Sequence, residues 1–178
     1  MLMVTQSQQT FDSGGRSITL DAFLPESNGQ RFPAVIGLHG SAGGHASMSD
    51  PAAMLAARGF AVYVLHYFDR TGTTGVADKQ TAIRNFPAWG KTLWDAISHV
   101  ELQACVDPKR IGLLGFSLGA YLALTVASVD SRVKAVVEFF GVKDAGNDRC
   151  RHVLESLEPM HRVVRLDRDH FYRVVPRF

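Results

Sequence analysis

The sequence predicts an α/β fold in three layers, with a mostly parallel sheet between helices on its two faces. Continuous apolar runs of strand length alternate with helical stretches along the chain, and this order favours parallel strands joined by crossover helices. The 178 residues are 46% hydrophobic and 20% charged, which suits one globular domain with a substantial core. We therefore expect a single domain over residues 1–178.

The first predicted elements lie between residues 17 and 59. Residues 17–24 alternate between apolar and polar side chains, which is typical of an antiparallel edge strand. The continuous apolar run at 33–38 predicts a strand buried on both faces. Asp50 and Pro51 form the start of a helix that ends at Gly59, because Asp is a good N-cap and Pro suits the first helical turn.

The second half of the chain repeats this alternation. Apolar residues spaced three and four apart at 87–102 predict one buried helix face, whereas 67–81 is expected to be a loop. The remaining predicted elements are strands at 60–65, 110–114 and 133–139 and a helix at 118–128.

The most informative motif is Gly-Phe-Ser-Leu-Gly at 115–119, between a predicted strand and a predicted helix. This pattern in this context is typical of a nucleophile elbow, in which a strained turn presents a serine hydroxyl above the sheet edge. Glycines on both sides of Ser117 allow the strand and the helix to approach closely. The helix N-terminus would stabilise a developing oxyanion. The alternative is an ordinary strand-to-helix turn.

Four segments together carry a family resemblance. They are Leu-His-Gly-Ser-Ala-Gly-Gly at 38–44, His-Tyr-Phe-Asp-Arg-Thr-Gly-Thr at 66–73, the elbow, and Val-Val-Glu-Phe-Phe-Gly at 136–141. With them the chain resembles the α/β-hydrolase superfamily and, within it, dienelactone-hydrolase-like proteins, over about residues 12–141. The resemblance implies a three-layer α/β-hydrolase sandwich acting on small esters or lactones, without a metal or cofactor. The best-known dienelactone hydrolases carry Cys at the nucleophile position, so Ser117 is similar to the serine-containing members.

The resemblance also implies roles in acyl transfer. Ser117 would attack the carbonyl carbon and form an acyl-enzyme. The backbone N–H of Leu118 would be one oxyanion donor, and Ser41 or Ala42 would provide the second. His39 and Gly40 are assigned to the loop that contacts substrate. For His39 the alternative is a strand-end histidine that packs or bonds its own loop.

Further candidates follow the predicted strand at 60–65. Phe68 and Arg70 would lie at the carboxyl ends of the strands, where open α/β sheets bind ligands. Arg70 would clamp a substrate carboxylate, or instead form a local ion pair or anchor a loop. Trp89 and Trp94 favour helix packing over ligand binding, and Glu138 would face the site or satisfy a nearby loop donor.

The segment 142–178 departs from the family pattern. Residues 149–178 hold seven of the fourteen arginines and three of the seven histidines, and the apolar periodicity fades. Asp169 is the candidate acid and His170 the candidate base, but adjacent residues of an extended segment point to opposite faces. The alternative is a solvated charged tail in a catalytically inactive core that acts at most as a binding module. We expect the last strand and helix of the fold to be lacking, which would expose a sheet edge and favour self-association.

Charge and cysteine content exclude several classes of protein. The net charge is +2, and Lys and Arg are scattered through the first 140 residues, so no nucleic-acid partner is expected. No segment has the length of a membrane span or the pattern of a signal peptide. Cys105 and Cys150 lack metal-type spacing. These features predict a cytoplasmic protein, and the family resemblance implies a small-molecule ester or lactone as its partner.

Overall fold

The computed structural model describes residues 1–26 and 28–139, together with the backbone of two strands, 161–165 and 172–176. A six-stranded sheet forms the centre of the fold, in the spatial order β1-β2-β4-β3-β5-β6. Strands β3, β4, β5 and β6 are parallel neighbours, whereas β1–β2 and β2–β4 are antiparallel. The strands are β1 Val4–Ser13, β2 Arg16–Pro25, β3 Phe32–Leu38, β4 Ala61–Leu65, β5 Val106–Phe116 and β6 Val133–Phe139.

In the part of the chain that the structure describes, three α-helices cover the two faces of this sheet: α1 Ser49–Ala56, α2 Lys79–Glu101 and α3 Leu118–Ala127. Tyr63 of β4 belongs to the larger core cluster, with side chains of α2 and α3. Its neighbour Val64 belongs to a smaller cluster with side chains of α1, because successive strand residues point to opposite faces. This arrangement confirms the predicted three-layer α/β fold. In the described part of the chain, no helix is both long and apolar enough to cross a membrane.

Two further strands lie near the C-terminus. β7 (His161–Arg165) and β8 (Tyr172–Pro176) are antiparallel and form a sheet of their own. Within the described residues, the six-stranded sheet therefore ends at β6. Self-association through the sheet edge stays a prediction.

The prediction that residues 17–24 form an edge strand is wrong. β1 pairs with β2 along its full length, from Val4 opposite Pro25 to Ser13 opposite Arg16, so β2 lies inside the sheet and β1 is the outer strand. β1 is mostly polar and exposed. An outer strand can satisfy its polar side chains with water, and such a strand gives little apolar signal in a sequence.

The prediction of a loop at 67–81 also needs correction at both ends. Tyr67–Arg70 form a 3₁₀ turn, and α2 begins at Lys79, before the predicted start at Pro87. The Asp78 side chain caps α2 by accepting a hydrogen bond of 2.8 Å from the Thr81 N–H, which stabilises the first turn. Pro87 therefore lies inside α2, although proline is more common in a first turn.

Arg132 connects α2 to the turn between α3 and β6. Its guanidinium binds both carboxylate oxygens of Asp130 and also donates to Glu101 at 2.8 Å and to Ser98 at 3.0 Å. Burial tends to raise the pKa of Asp130, but the hydrogen bonds and charge of Arg132 outweigh this and lower it. Asp130 is therefore a nearly buried carboxylate that depends on Arg132 for its compensation.

We expect Arg132→Ala to lower the free energy of unfolding by about 2 kcal/mol, because it removes charged hydrogen bonds from the buried Asp130 carboxylate. The control is Arg110→Ala, which removes the exposed pair with Asp107 and should leave the urea midpoint unchanged within error. Equal midpoints for the two variants in urea denaturation followed by circular dichroism would contradict this interpretation.

Candidate active site

Ser117 lies at the turn between β5 and α3, with backbone angles φ 50° and ψ −112°. Among the described residues it is the one non-glycine residue with positive φ. Its N–H donates to the Phe139 carbonyl at 2.8 Å, and its own carbonyl accepts from the Ala120 N–H at 2.9 Å. Strain of this kind persists only where the surroundings enforce it, and it occurs frequently at active sites. The turn therefore has the backbone of a nucleophile elbow.

The two glycines of the motif are required by close backbone packing. A Cβ on Gly115 would lie 2.6 Å from Cα of Ala120, and one on Gly119 would lie 2.6 Å from the carbonyl oxygen of His39. Both distances are shorter than real side chains allow, and both neighbours are backbone atoms. The spacing of the motif thus follows from the packing of β5, α3 and the end of β3.

A glycine-rich loop after β3 passes beside Ser117. Gly43 N–H donates to the Gly40 carbonyl at 3.1 Å and closes a tight turn around Ser41 and Ala42. A Cβ on Gly40 would lie 3.5 Å from Cβ of Ser117, so the loop backbone is close to the serine.

The backbone N–H groups of Ser41, Ala42 and Leu118 could bind a developing negative charge. The hydrogen bonds found within the described residues include none donated by these three N–H groups. The first N–H groups of a helix have no partner inside the helix, which explains the free N–H of Leu118. Within the described part of the chain, the N–H groups that the sequence predicts for an oxyanion hole therefore have no acceptor.

His39 is buried at the end of β3. Its ring stacks on Tyr67 at a centroid distance of 4.2 Å and meets the edge of Phe68 at 4.7 Å, and its Nδ1 is 2.9 Å from the Gly40 carbonyl oxygen. Burial lowers the pKa of His39, although the bond to Gly40 opposes this shift. These are the contacts of a histidine that packs at the strand end and fixes its own loop. Phe68 is likewise buried in the core.

Arg70 is directed at the hairpin between β1 and β2. Its Nη1 donates to the carbonyl oxygens of Ser13 and Gly14. The neighbouring Asp69 accepts a hydrogen bond of 3.0 Å from the Thr19 N–H. In this structure Arg70 therefore anchors a loop, which was the alternative to a carboxylate clamp.

The two tryptophans of α2 differ in environment. Trp89 is fully buried and donates from Nε1 to the Thr71 hydroxyl at 2.9 Å, whereas Trp94 is 44% exposed. Glu138 is buried in β6 opposite Gly115 of β5, so its backbone lies next to the elbow. Asp169 and His170 lie outside the described residues.

A cluster of polar side chains at the carboxyl ends of the parallel strands, where Ser117 also lies, was not predicted from the sequence. Asp21 of β2, His45 of the loop after β3 and His66 at the end of β4 bring their donor atoms within 4.8 Å of one another. Asp21 lies in the alternating strand at 17–24 and His66 directly follows the apolar strand at 60–65, so neither position indicated a cluster in the sequence.

The fold is a mostly parallel sheet between two layers of helices, with a strained serine at a strand-to-helix turn and a glycine loop beside it. This combination defines an α/β-hydrolase. The chain belongs to the dienelactone hydrolase family, whose model matches residues 20–160. This membership confirms the resemblance found in the sequence.

Three individual proteins show what the chain is similar to. The chain is 27% identical over 129 residues to "Putative hydrolase YtaP" of Bacillus subtilis (strain 168), a match that spans 68% of this chain and 39% of that protein. A dienelactone hydrolase-like promiscuous phosphotriesterase from metagenomic libraries superposes with a TM-score of 0.69 and 19% identity, covering 88% of this chain and 77% of that one. An esterase of Pyrobaculum calidifontis has a TM-score of 0.60 and 26% identity, covering 75% and 44% of the two chains.

Proposed function

We propose that this chain is a serine hydrolase that cleaves small esters or lactones through Ser117 and an acyl-enzyme intermediate. The observation that carries the proposal is the positive-φ backbone of Ser117 next to available N–H groups. Membership of the dienelactone hydrolase family supports hydrolysis, and the similarity to an esterase supports the ester class.

The proposed reaction has two stages. Ser117 Oγ attacks the carbonyl carbon while its proton passes to a general base, and the new oxyanion accepts hydrogen bonds from Leu118 N–H and from Ser41 or Ala42. Collapse of this intermediate breaks the bond to the alkoxy oxygen, which takes up the proton, and a lactone ring opens at this step. Water then attacks the acyl-enzyme with help from the same base and releases the carboxylic acid and Ser117.

The general base is the open part of this proposal. Asp169 as acid and His170 as base remain its candidates. A second candidate function, an inactive core that acts at most as a binding module, is favoured by one observation. Each of the four histidines whose side chains the structure describes contacts a group other than Ser117. His39 contacts Gly40, His66 contacts Asp21, His99 contacts Gln103, and the ring of His45 stacks on His66.

Labelling with a fluorophosphonate probe separates these two functions, because the probe reacts with an activated serine. We expect the wild-type protein to be labelled and Ser117→Ala to be unlabelled. The matched control is Ser7→Ala, which removes an exposed serine of β1 and should leave labelling intact.

A folded wild-type protein that resists labelling would overturn the proposal and support the inactive core. Labelling that persists in Ser117→Ala would overturn the assignment of the nucleophile. If labelling depends on Ser117, substitution of His170, His161 and His152 in turn identifies the base.

A further inference from the structure

Asp21, His45 and His66 form a compact group of metal-ligand side chains that the proposed hydrolase does not use. His66 Nε2 lies 2.6 Å from Asp21 Oδ2, and the His45 ring stacks on the His66 ring at a centroid distance of 3.7 Å. One donor atom from each residue lies within 4.8 Å of the other two. Three donors this close can converge on one ion after small side-chain rotations.

The three residues come from separate elements that the fold fixes independently. Asp21 lies in β2, where it pairs with Val64 of β4. His66 directly follows β4, and its N–H donates to the Thr19 carbonyl at 3.0 Å. His45 begins the short 3₁₀ turn after the glycine loop. Asp21 thus lies within the sheet, His66 lies directly after a strand of it, and His45 approaches from a loop.

The carboxylate of Asp21 is oriented by a neighbour. Gln8 of β1 donates from Nε2 to Asp21 Oδ1 at 3.0 Å, which directs the other oxygen, Oδ2, to the histidines. Hydrogen bonds to a ligand's second oxygen are a common feature of metal sites, where they fix the ligand's orientation.

We propose that Asp21, His45 and His66 bind one divalent transition-metal ion, with Zn²⁺ as the representative ion. Two imidazoles and one carboxylate favour Zn²⁺ and other divalent transition-metal ions over Ca²⁺ and Mg²⁺, which take mostly oxygen ligands. The ion displaces the proton shared by Asp21 and His66, which is released to solvent, and those two donor atoms separate slightly as each binds the metal. Three protein ligands leave a fourth tetrahedral position for water or a small ligand.

Isothermal titration calorimetry with ZnCl₂ on the metal-free full chain tests this site. We expect saturable binding of one Zn²⁺, and an affinity at least about 100-fold weaker in His45→Gln and in His66→Gln, because each removes a ligand. The matched control is His99→Gln on α2, whose ring stacks on Phe11 and which is not part of the cluster. Its affinity should equal that of the wild type.

Each result decides the proposal. Absence of saturable Zn²⁺ binding, or equal affinity in the wild type and His45→Gln, overturns it, and the latter result would place the ion elsewhere in the chain. His45→Gln leaves the Asp21–His66 bond intact, so it decides the question even if His66→Gln fails to fold. A Co²⁺ absorption band typical of four-coordinate nitrogen and oxygen ligands, lost in His45→Gln, provides a second readout that is independent of enzyme activity.

Discussion

Replacing Ser117 with glycine is expected to raise the free energy of unfolding by about 1 kcal/mol. Strain at a non-glycine residue with positive φ costs on the order of 1–3 kcal/mol, and the added freedom of glycine in the unfolded chain offsets part of the gain. Ser117→Ala retains the strain, so it is the matched variant and should be close to the wild type in stability. Urea denaturation followed by circular dichroism measures the difference.

The same substitution is expected to lower kcat/KM for an ester such as p-nitrophenyl acetate by at least about 10³-fold, because the attacking hydroxyl is lost. Stability would then increase as activity disappears. A Ser117→Gly protein that unfolds more easily than Ser117→Ala would contradict the strain. Unchanged ester hydrolysis would contradict the proposed function and leave the strain argument intact.

Replacing Gly119 with alanine is expected to destabilise the protein by about 3 kcal/mol. The new methyl group would overlap the carbonyl oxygens of Leu38 and His39, and β3 would have to move away from α3, which is a costly form of overpacking.

The matched control for this prediction is Gly90→Ala, in the interior of α2. A Cβ there meets Leu122 Cδ1 at 3.9 Å, an ordinary contact, so we expect a gain of about 0.5–1 kcal/mol from helix propensity. Both variants replace glycine with alanine, but we expect the free energy of unfolding to fall in Gly119→Ala and to rise in Gly90→Ala. Similar urea midpoints for both would show that the approach of α3 to β3 is less tight than the structure indicates.

The central strands were predictable because their burial is encoded locally. The apolar run at 33–38 became β3, Phe32–Leu38, since a parallel strand covered on both faces needs apolar side chains throughout. β1 was not predicted because most of its side chains face water. The start of α2 was missed because Pro87 resembled a first-turn residue, whereas the cap at Asp78 determines where the helix begins.

The same distinction applies to the candidate site. The elbow was predictable because its strand, turn and helix are contiguous, and one pattern of five residues encodes the packing of both glycines. The cluster of Asp21, His45 and His66 was not predictable, because only the pairing of β2 with β4 and the path of the loop after β3 bring these residues together. The direction of Arg70 likewise depends on a hairpin far away in the chain.

The contacts of the Ser117 turn also have a consequence for folding kinetics. Gly119 packs against the carbonyl oxygens of Leu38 and His39 at the end of β3, and the Ser117 N–H donates to the carbonyl of Phe139 at the end of β6. Contacts between residues so distant in sequence form slowly, because large loops must close before they are made. Helical circular dichroism should therefore recover early during refolding. Under the proposed function, fluorophosphonate labelling of Ser117 should return only when β3, β5 and β6 have paired in register. The rate at which Ser117 labelling returns would then measure the rate of the last stage of folding.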